Sequence, residues 1–197
     1  MTKFDLTEKQ LNSRIIYDGS LLHIRKDEVT LPNGRVSSRE YLLHPGAVVV
    51  IPFLDDATII MERQFRYPAG QEFFELPAGK IDPGEDYLAT GQRELLEETG
   101  YSAQRWEMLT TIHPAIGYSD EKMALYAAYN LTQTTINRDH DEFLEIIKIP
   151  LRDALTMLQQ GKITDAKTMV GLFWAEKLMK GNWAGESRHP DTRLLDV

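Results

Sequence analysis

The chain has 197 residues, 42% of them hydrophobic and 26% charged, a composition suited to one medium globular domain or a domain with a small companion. It contains no run of about 18 apolar residues that would span a bilayer. A net charge of -8 leaves no basic face for a nucleic-acid backbone, and the lack of cysteine excludes disulfides, thiolate catalysis and thiolate metal sites.

The opening "MTKFDLTEKQ" has no apolar h-region, so a cytoplasmic protein is expected, meeting neither membrane nor nucleic acid. Five scattered histidines make a transition-metal cage unlikely by composition, so any bound metal should be a hard cation held by oxygen. From Ser20 to Pro52 the chain reads as strands, with a hairpin turn at Pro32-Asn33-Gly34. "AVVVIPFL" and "ATIIMERQFR" are apolar, β-branched runs that predict neighbouring buried strands joined by a tight turn at Asp55-Asp56. "EFFELPAG" predicts a short strand ending at Pro77.

Between Glu85 and Thr99 the pattern is helical, with Gly100 placed as the C-terminal cap. "RWEMLTTIHP", "KMALYAAYNL" and "FLEIIKIPL" return to strand character, and helices are expected over Arg152 to Gln160 and Asp165 to Lys180. This order predicts an α/β or α+β sandwich. His44-Pro45-Gly46 marks a boundary between a β-rich N-terminal piece, residues 1–45, and the remainder, residues 46–197.

The helix after Glu85 gathers carboxylates. With Glu94 as reference and 100° per residue, Glu97 falls about 60° to one side and Glu98 about 40° to the other, so all three share a face. Leu88 and Leu95 form a neighbouring stripe expected to pack inward. Arg93 stands four residues before Glu97, within pairing distance, but one arginine cannot neutralise the whole set. Taken alone, such a helix reads as a solvated acidic surface. A hard dication such as magnesium, which takes one or two carboxylates together with waters and substrate phosphates, would relieve the repulsion.

Context favours the cation. The segment reads Gly79, five residues, Glu85, seven residues, then Arg93-Glu94-Leu95-Leu96-Glu97-Glu98-Thr99-Gly100-Tyr101. This resembles the box of the Nudix hydrolases. "ERQFRYPAGQEFFELPAGKIDPGE", "HPAIGYSDE" and "DEFLEIIKIPL" extend the likeness to the branch that cleaves ADP-ribose and nucleoside diphosphate sugars. The resemblance implies an α/β/α sandwich with a mixed sheet, a small N-terminal antiparallel β subdomain through which members dimerise, and a Mg2+ or Mn2+ cofactor. It implies a nucleoside diphosphate sugar as substrate, ADP-ribose or alternatively a GDP- or UDP-sugar. A non-catalytic nucleotide sensor with the same fold is a further alternative, though a sensor does not need the complete carboxylate set.

Carried over by position, Glu94, Glu98 and the backbone carbonyl of Ala78 are the expected metal ligands, assisted by Glu97. Glu85 and Arg93 are expected to brace the loop and helix around the reaction. The general base is expected from a later loop, at Glu142, with Asp141 and Glu145 as neighbouring alternatives. Arg66 and Arg63 are the expected phosphate clamps, since a guanidinium fork matches phosphate oxygens. Glu75 is expected at ribose hydroxyls, Arg39 and Glu40 at the adenine end, and Glu121 in a loop over the terminal ribose. The branch usually places proline immediately before the glycine of "HPAIGYSDE"; this chain has Ile116 there, which bears on the substrate more than on the reaction.

Overall fold

The structure is a computed structural model that describes residues 4–134 and 143–183. Its described residues form two compact units.

The first unit comprises the chain up to Gly46 together with His113–Lys122. Its core is an antiparallel sheet of β1 (Lys9–Asp18), β2 (His23–Thr30) and β3 (Val36–Leu43), in that order. The expected hairpin joins β2 to β3: Gly34 N–H donates to Leu31 O at 2.9 Å, and Arg35 N–H donates to Asn33 Oδ1 at 3.1 Å. β1 was not anticipated from the sequence. Every one of its residues is exposed, so neither face supplies an apolar alternation to read. The segment His113–Lys122 joins the end of β3: Leu42 N–H donates to Tyr118 O at 2.9 Å, Asp120 N–H donates to Leu42 O at 3.2 Å, and His44 N–H donates to Asp120 Oδ1 at 2.8 Å. This unit therefore also takes in a segment from much later in the chain.

The second unit contains two sheets and three helices. β4 (Ala47–Pro52), β7 (Ala78–Lys80), β8 (Tyr101–Ile112) and β9 (Met123–Gln133) form one sheet in the order β7-β4-β9-β8, in which only β4 and β9 run parallel. β5 (Thr58–Arg66), β6 (Gln71–Glu75) and β10 (Leu144–Pro150) form an antiparallel sheet in the order β10-β5-β6. The helices are α1 (Tyr87–Thr99), α2 (Leu151–Gln159) and α3 (Ala166–Met179).

β4 explains why its sequence is apolar without alternation. Val49 and Ile51 pack with Leu172 and Ala175 of α3 on one side, while Val48 and Val50 pack with Leu95 of α1 on the other. A strand covered on both faces must be apolar at every position. Each such Val, Ile or Leu contributes about 1.5–3 kcal/mol on full burial. The result is the expected mixed sheet between helical layers.

One local expectation changes. β4 and β5 are not hydrogen-bonded neighbours; they belong to different sheets, and a bridge joins Phe53, just after β4, to Ile59 of β5. The turn between them is nevertheless tight, with Asp55 Oδ1 accepting from Ala57 N at 2.8 Å and from Thr58 N at 2.7 Å. The short strand expected in "EFFELPAG" is β6, which ends before Leu76-Pro77; the chain then enters β7 in the other sheet, which was not anticipated. Proline has no N–H for a ladder, which breaks the strand at that point.

Candidate active site

α1 begins at Asp86, whose carboxylate accepts from Ala89 N at 2.8 Å, and ends at Gly100 in a left-handed conformation with φ 73°. Side-chain capping by Asp86 at one end and a residue free of Cβ at the other hold the helix to 13 residues. Leu95 is fully buried against β4 and anchors the helix. Leu88, expected in the same stripe, is instead 37% exposed.

That seating turns Glu94 and Glu98 inward, 9% and 4% exposed. Both face β7. Ala78 N–H donates to Glu98 Oε2 at 3.1 Å, and a Cβ built on Gly79 would lie 1.7 Å from Glu94 Oε1. Only a residue without a side chain leaves that space for the carboxylate.

Arg93 lies within the acidic group. Its Nε donates to Glu85 Oε1 at 2.9 Å, and Nη2 donates to Glu85 Oε2 at 3.0 Å and to Lys80 O at 3.1 Å. Nη1 donates to Glu94 Oε1 at 2.8 Å and to Glu97 Oε2 at 3.0 Å. The guanidinium therefore ties the loop before α1 to three carboxylates. Hydrogen bonds from Arg93, and then from Thr90, hold the Glu85 carboxyl at about 2 against an ordinary 4.5. Hydrogen bonding to Glu85 likewise raises Arg93 above its ordinary value.

Among the described residues, no three histidine, aspartate or glutamate side chains already converge as a cation cage. The donor set still fits a hard dication: two buried carboxylates one helical turn apart, set against the backbone at Ala78, with one arginine opposing four acids.

Beside this group, Arg66 at the end of β5 donates from Nε to Glu75 Oε1 at 2.7 Å and from Nη2 to Glu75 Oε2 at 2.8 Å. Hydrogen bonding to Glu75 raises Arg66, against burial, and the charges of Glu62 and Glu98 add to the shift. Glu75, expected at a ribose, is 2% exposed and also accepts from Lys167 Nζ. Burial, the largest influence on its carboxyl, pushes it up, but Arg66 and Lys167 outweigh burial and hold it below its ordinary value. Glu75 thus braces Arg66.

Arg63 does not share this setting. Side chains three apart on a strand point to opposite faces, and Arg63 pairs instead with Glu145 at 2.6 Å and Glu72 at 3.4 Å. Glu145, an alternative for the base, therefore lies on the face opposite Arg66. Glu142 and Asp141 fall outside the described residues. In the first unit, Arg39 Nε donates to Glu8 Oε2 at 2.9 Å, Glu40 pairs with Lys26 at 2.5 Å, and Glu121 Oε1 lies 3.8 Å from His44 Nε2. Lys167, Asp165 and Thr168, in the first turn of α3, were not anticipated; "TDAKT" reads as a helix start and carries no sign of a partner 92 residues earlier.

A NUDIX domain model matches residues 43–170, and a model for the nucleoside diphosphate sugar hydrolase N-terminal domain matches residues 8–42. The chain is similar to the ADP-ribose pyrophosphatase of Bacillus subtilis (strain 168), 39% identical over 173 residues, covering 87% of this chain and 94% of that one. It is also similar to a methanol dehydrogenase activator of Bacillus methanolicus, 38% identical over 171 residues, covering 86% and 92%. A crystal structure of an ADP compounds hydrolase superposes with a TM-score of 0.81 at 25% identity, over 92% of this chain and 99% of that one. The matched span takes in α1, β7 and the carboxylates between them, and the chain belongs to the NUDIX hydrolase family.

Proposed function

We propose that the protein hydrolyses the pyrophosphate linkage of ADP-ribose, or of a related nucleoside diphosphate sugar, to a nucleoside monophosphate and a sugar phosphate. The observation that carries this reading is the pair of buried carboxylates, Glu94 and Glu98, turned toward β7 where a Cβ on Gly79 would occupy the space of Glu94. Arg93 supplies one positive charge shared among Glu85, Glu94 and Glu97, and a dication would balance the remaining negative charge. The name carried by the Bacillus subtilis relative supports the choice of substrate.

Mg2+ or Mn2+, when bound, would offset charge on the pyrophosphate and lower the pKa of a water so that a base can deprotonate it for attack. Glu94, Glu98 and the Ala78 carbonyl would hold the cation, and Glu97 would assist. Arg93 fixes the loop through Glu85 and keeps Glu94 and Glu97 in place. Arg66 takes a substrate phosphate, oriented by Glu75. Glu142 accepts the proton of the attacking water. Arg39, Glu40 and Glu121 belong to the recognition of the nucleoside and the terminal ribose; Arg63, paired with Glu145 and Glu72 on the face of β5 opposite Arg66, is assigned no phosphate.

We further propose a homodimer formed through the first unit. β1 is an edge strand with Leu11, Ile15, Ile16 and Tyr17 each about half exposed, an arrangement that a second copy would cover. The described residues contain no helix long and apolar enough to cross a membrane, and the cysteine-free chain suits the cytoplasm.

The activity is tested by incubating the pure protein with Mg2+ and a panel of ADP-ribose, GDP-mannose and UDP-glucose, with detection of the nucleoside monophosphate. AMP from ADP-ribose as the fastest product is expected. Preferential turnover of GDP-mannose or UDP-glucose would move the assignment to those sugars, and no turnover of any would favour a sensor.

A further inference from the structure

The end of β6 is gripped by the first turn of α3. Asp165, the N-cap, accepts from Thr168 N at 3.0 Å and from Lys167 Nζ at 3.0 Å. From the same turn, Thr168 Oγ1 accepts from Leu76 N at 2.9 Å and Lys167 Nζ donates to Glu75 Oε2. One turn further, a Cβ on Gly171 would lie 2.3 Å from Leu76 Cδ1, so the helix approaches Leu76 as closely as a backbone can. Three successive ties fix Glu75 and Leu76, the residues between the anchor of Arg66 and the backbone of β7.

The charges in this group are unequal in access. Glu75 is 2% exposed, and the Lys167 side chain is 11% exposed, whereas that of Arg66 is 43% exposed. Lys167 is too deep to meet a substrate. Arg66 commits Nε and Nη2 to Glu75, which leaves Nη1 for an anion. Lys167 also pairs with Asp165, so the two cations and two carboxylates of the group balance, and what Lys167 gives Glu75 is a fixed position: it holds the carboxylate from α3 while Arg66 binds it from β5.

We infer that Lys167 is a positioning residue for substrate binding: it fixes the Glu75 carboxylate, which in turn holds the Arg66 guanidinium in one orientation toward a phosphate of the substrate. The inference rests on the proposed pyrophosphatase activity. Lys167 acts through Glu75 and Arg66 and touches no reacting atom.

The test measures kcat and KM for ADP-ribose with saturating Mg2+ in Lys167→Met, Lys167→Arg, Arg66→Ala and the double variant Lys167→Met/Arg66→Ala, with Tm for each. Lys167→Met should raise KM about tenfold with kcat within about threefold of wild type, as expected for lost binding of ground and transition state alike. Lys167→Arg should bring KM back to within about threefold of wild type. In the Arg66→Ala background, Lys167→Met should add nothing to KM, because residues acting through one another are not additive. If Lys167→Met does not fold, Lys167→Gln, which keeps most of the stem and a polar tip, is expected to give the same shift in KM. An unchanged KM in the folded variant, or the same increase with and without the Arg66 side chain, overturns the inference while leaving the activity intact. Absence of turnover of every nucleoside diphosphate sugar in the panel by the wild type overturns both.

Discussion

Gly79 and Glu94 compete for one space: a Cβ on Gly79 would fall 1.7 Å from Glu94 Oε1. The atom in the way is the end of a flexible side chain, so Gly79→Ala is relieved by rotating Glu94 rather than by moving the backbone. We expect Gly79→Ala to keep a Tm within a few degrees of wild type while losing at least about a hundredfold in Mg2+-dependent turnover. Product release and thermal melting measured on the same sample check this, and retained turnover would show that the position of Glu94 is not critical.

Glu98 accepts from Ala78 N at 3.1 Å and is 4% exposed. Glu98→Gln preserves the shape and removes the charge. Turnover should fall at least about a hundredfold, and calorimetric titration with Mn2+ should show weaker binding. Full activity in this variant would remove Glu98 from the cation site.

Glu85 has a folded-state value of about 2, depressed from 4.5 by Arg93. A depressed carboxyl contributes stability that is complete above the unfolded value and lost as pH falls through the folded one. The wild type should therefore lose Tm between pH 4.5 and about 2 more steeply than Glu85→Gln, which has no proton to take up at that position. Parallel melting curves for the two proteins across that window would contradict the pairing with Arg93.

Leu95 and Leu88 lie on one helical stripe but differ in cover, fully buried against 37% exposed. Leu95→Ala should cost about 2–5 kcal/mol by denaturant titration, and Leu88→Ala less than about 1 kcal/mol. Equal losses would mean that the first turn of α1 packs more deeply than described.

Ile15 and Ile16 are 58% and 46% exposed on β1. Light scattering should report a dimer for the wild type and a monomer for Ile15→Glu/Ile16→Glu. A monomeric wild type would leave β1 without the proposed cover.

Several features of the site were legible without coordinates because they are local. Glu94, Glu97 and Glu98 share a face by helical period alone, and Gly79 and Arg93 stand at fixed short spacings from them. The two-sided burial of β4 was likewise visible as an unbroken apolar run.

Pairings across long separations leave no such mark. The division of "EFFELPAG" between two sheets, the return of His113–Lys122 to β3, and the grip of Lys167 on Glu75 each depend on partners that no periodicity can name. The opposite faces of Arg63 and Arg66 follow from strand alternation, but what each face meets had to come from the fold. By itself the sequence determined the acidic helix and the class of chemistry it supports, because helical geometry converts spacing directly into a shared face. Only the tertiary structure decided which cations oppose which carboxylates, because those contacts exist only once distant segments have packed together.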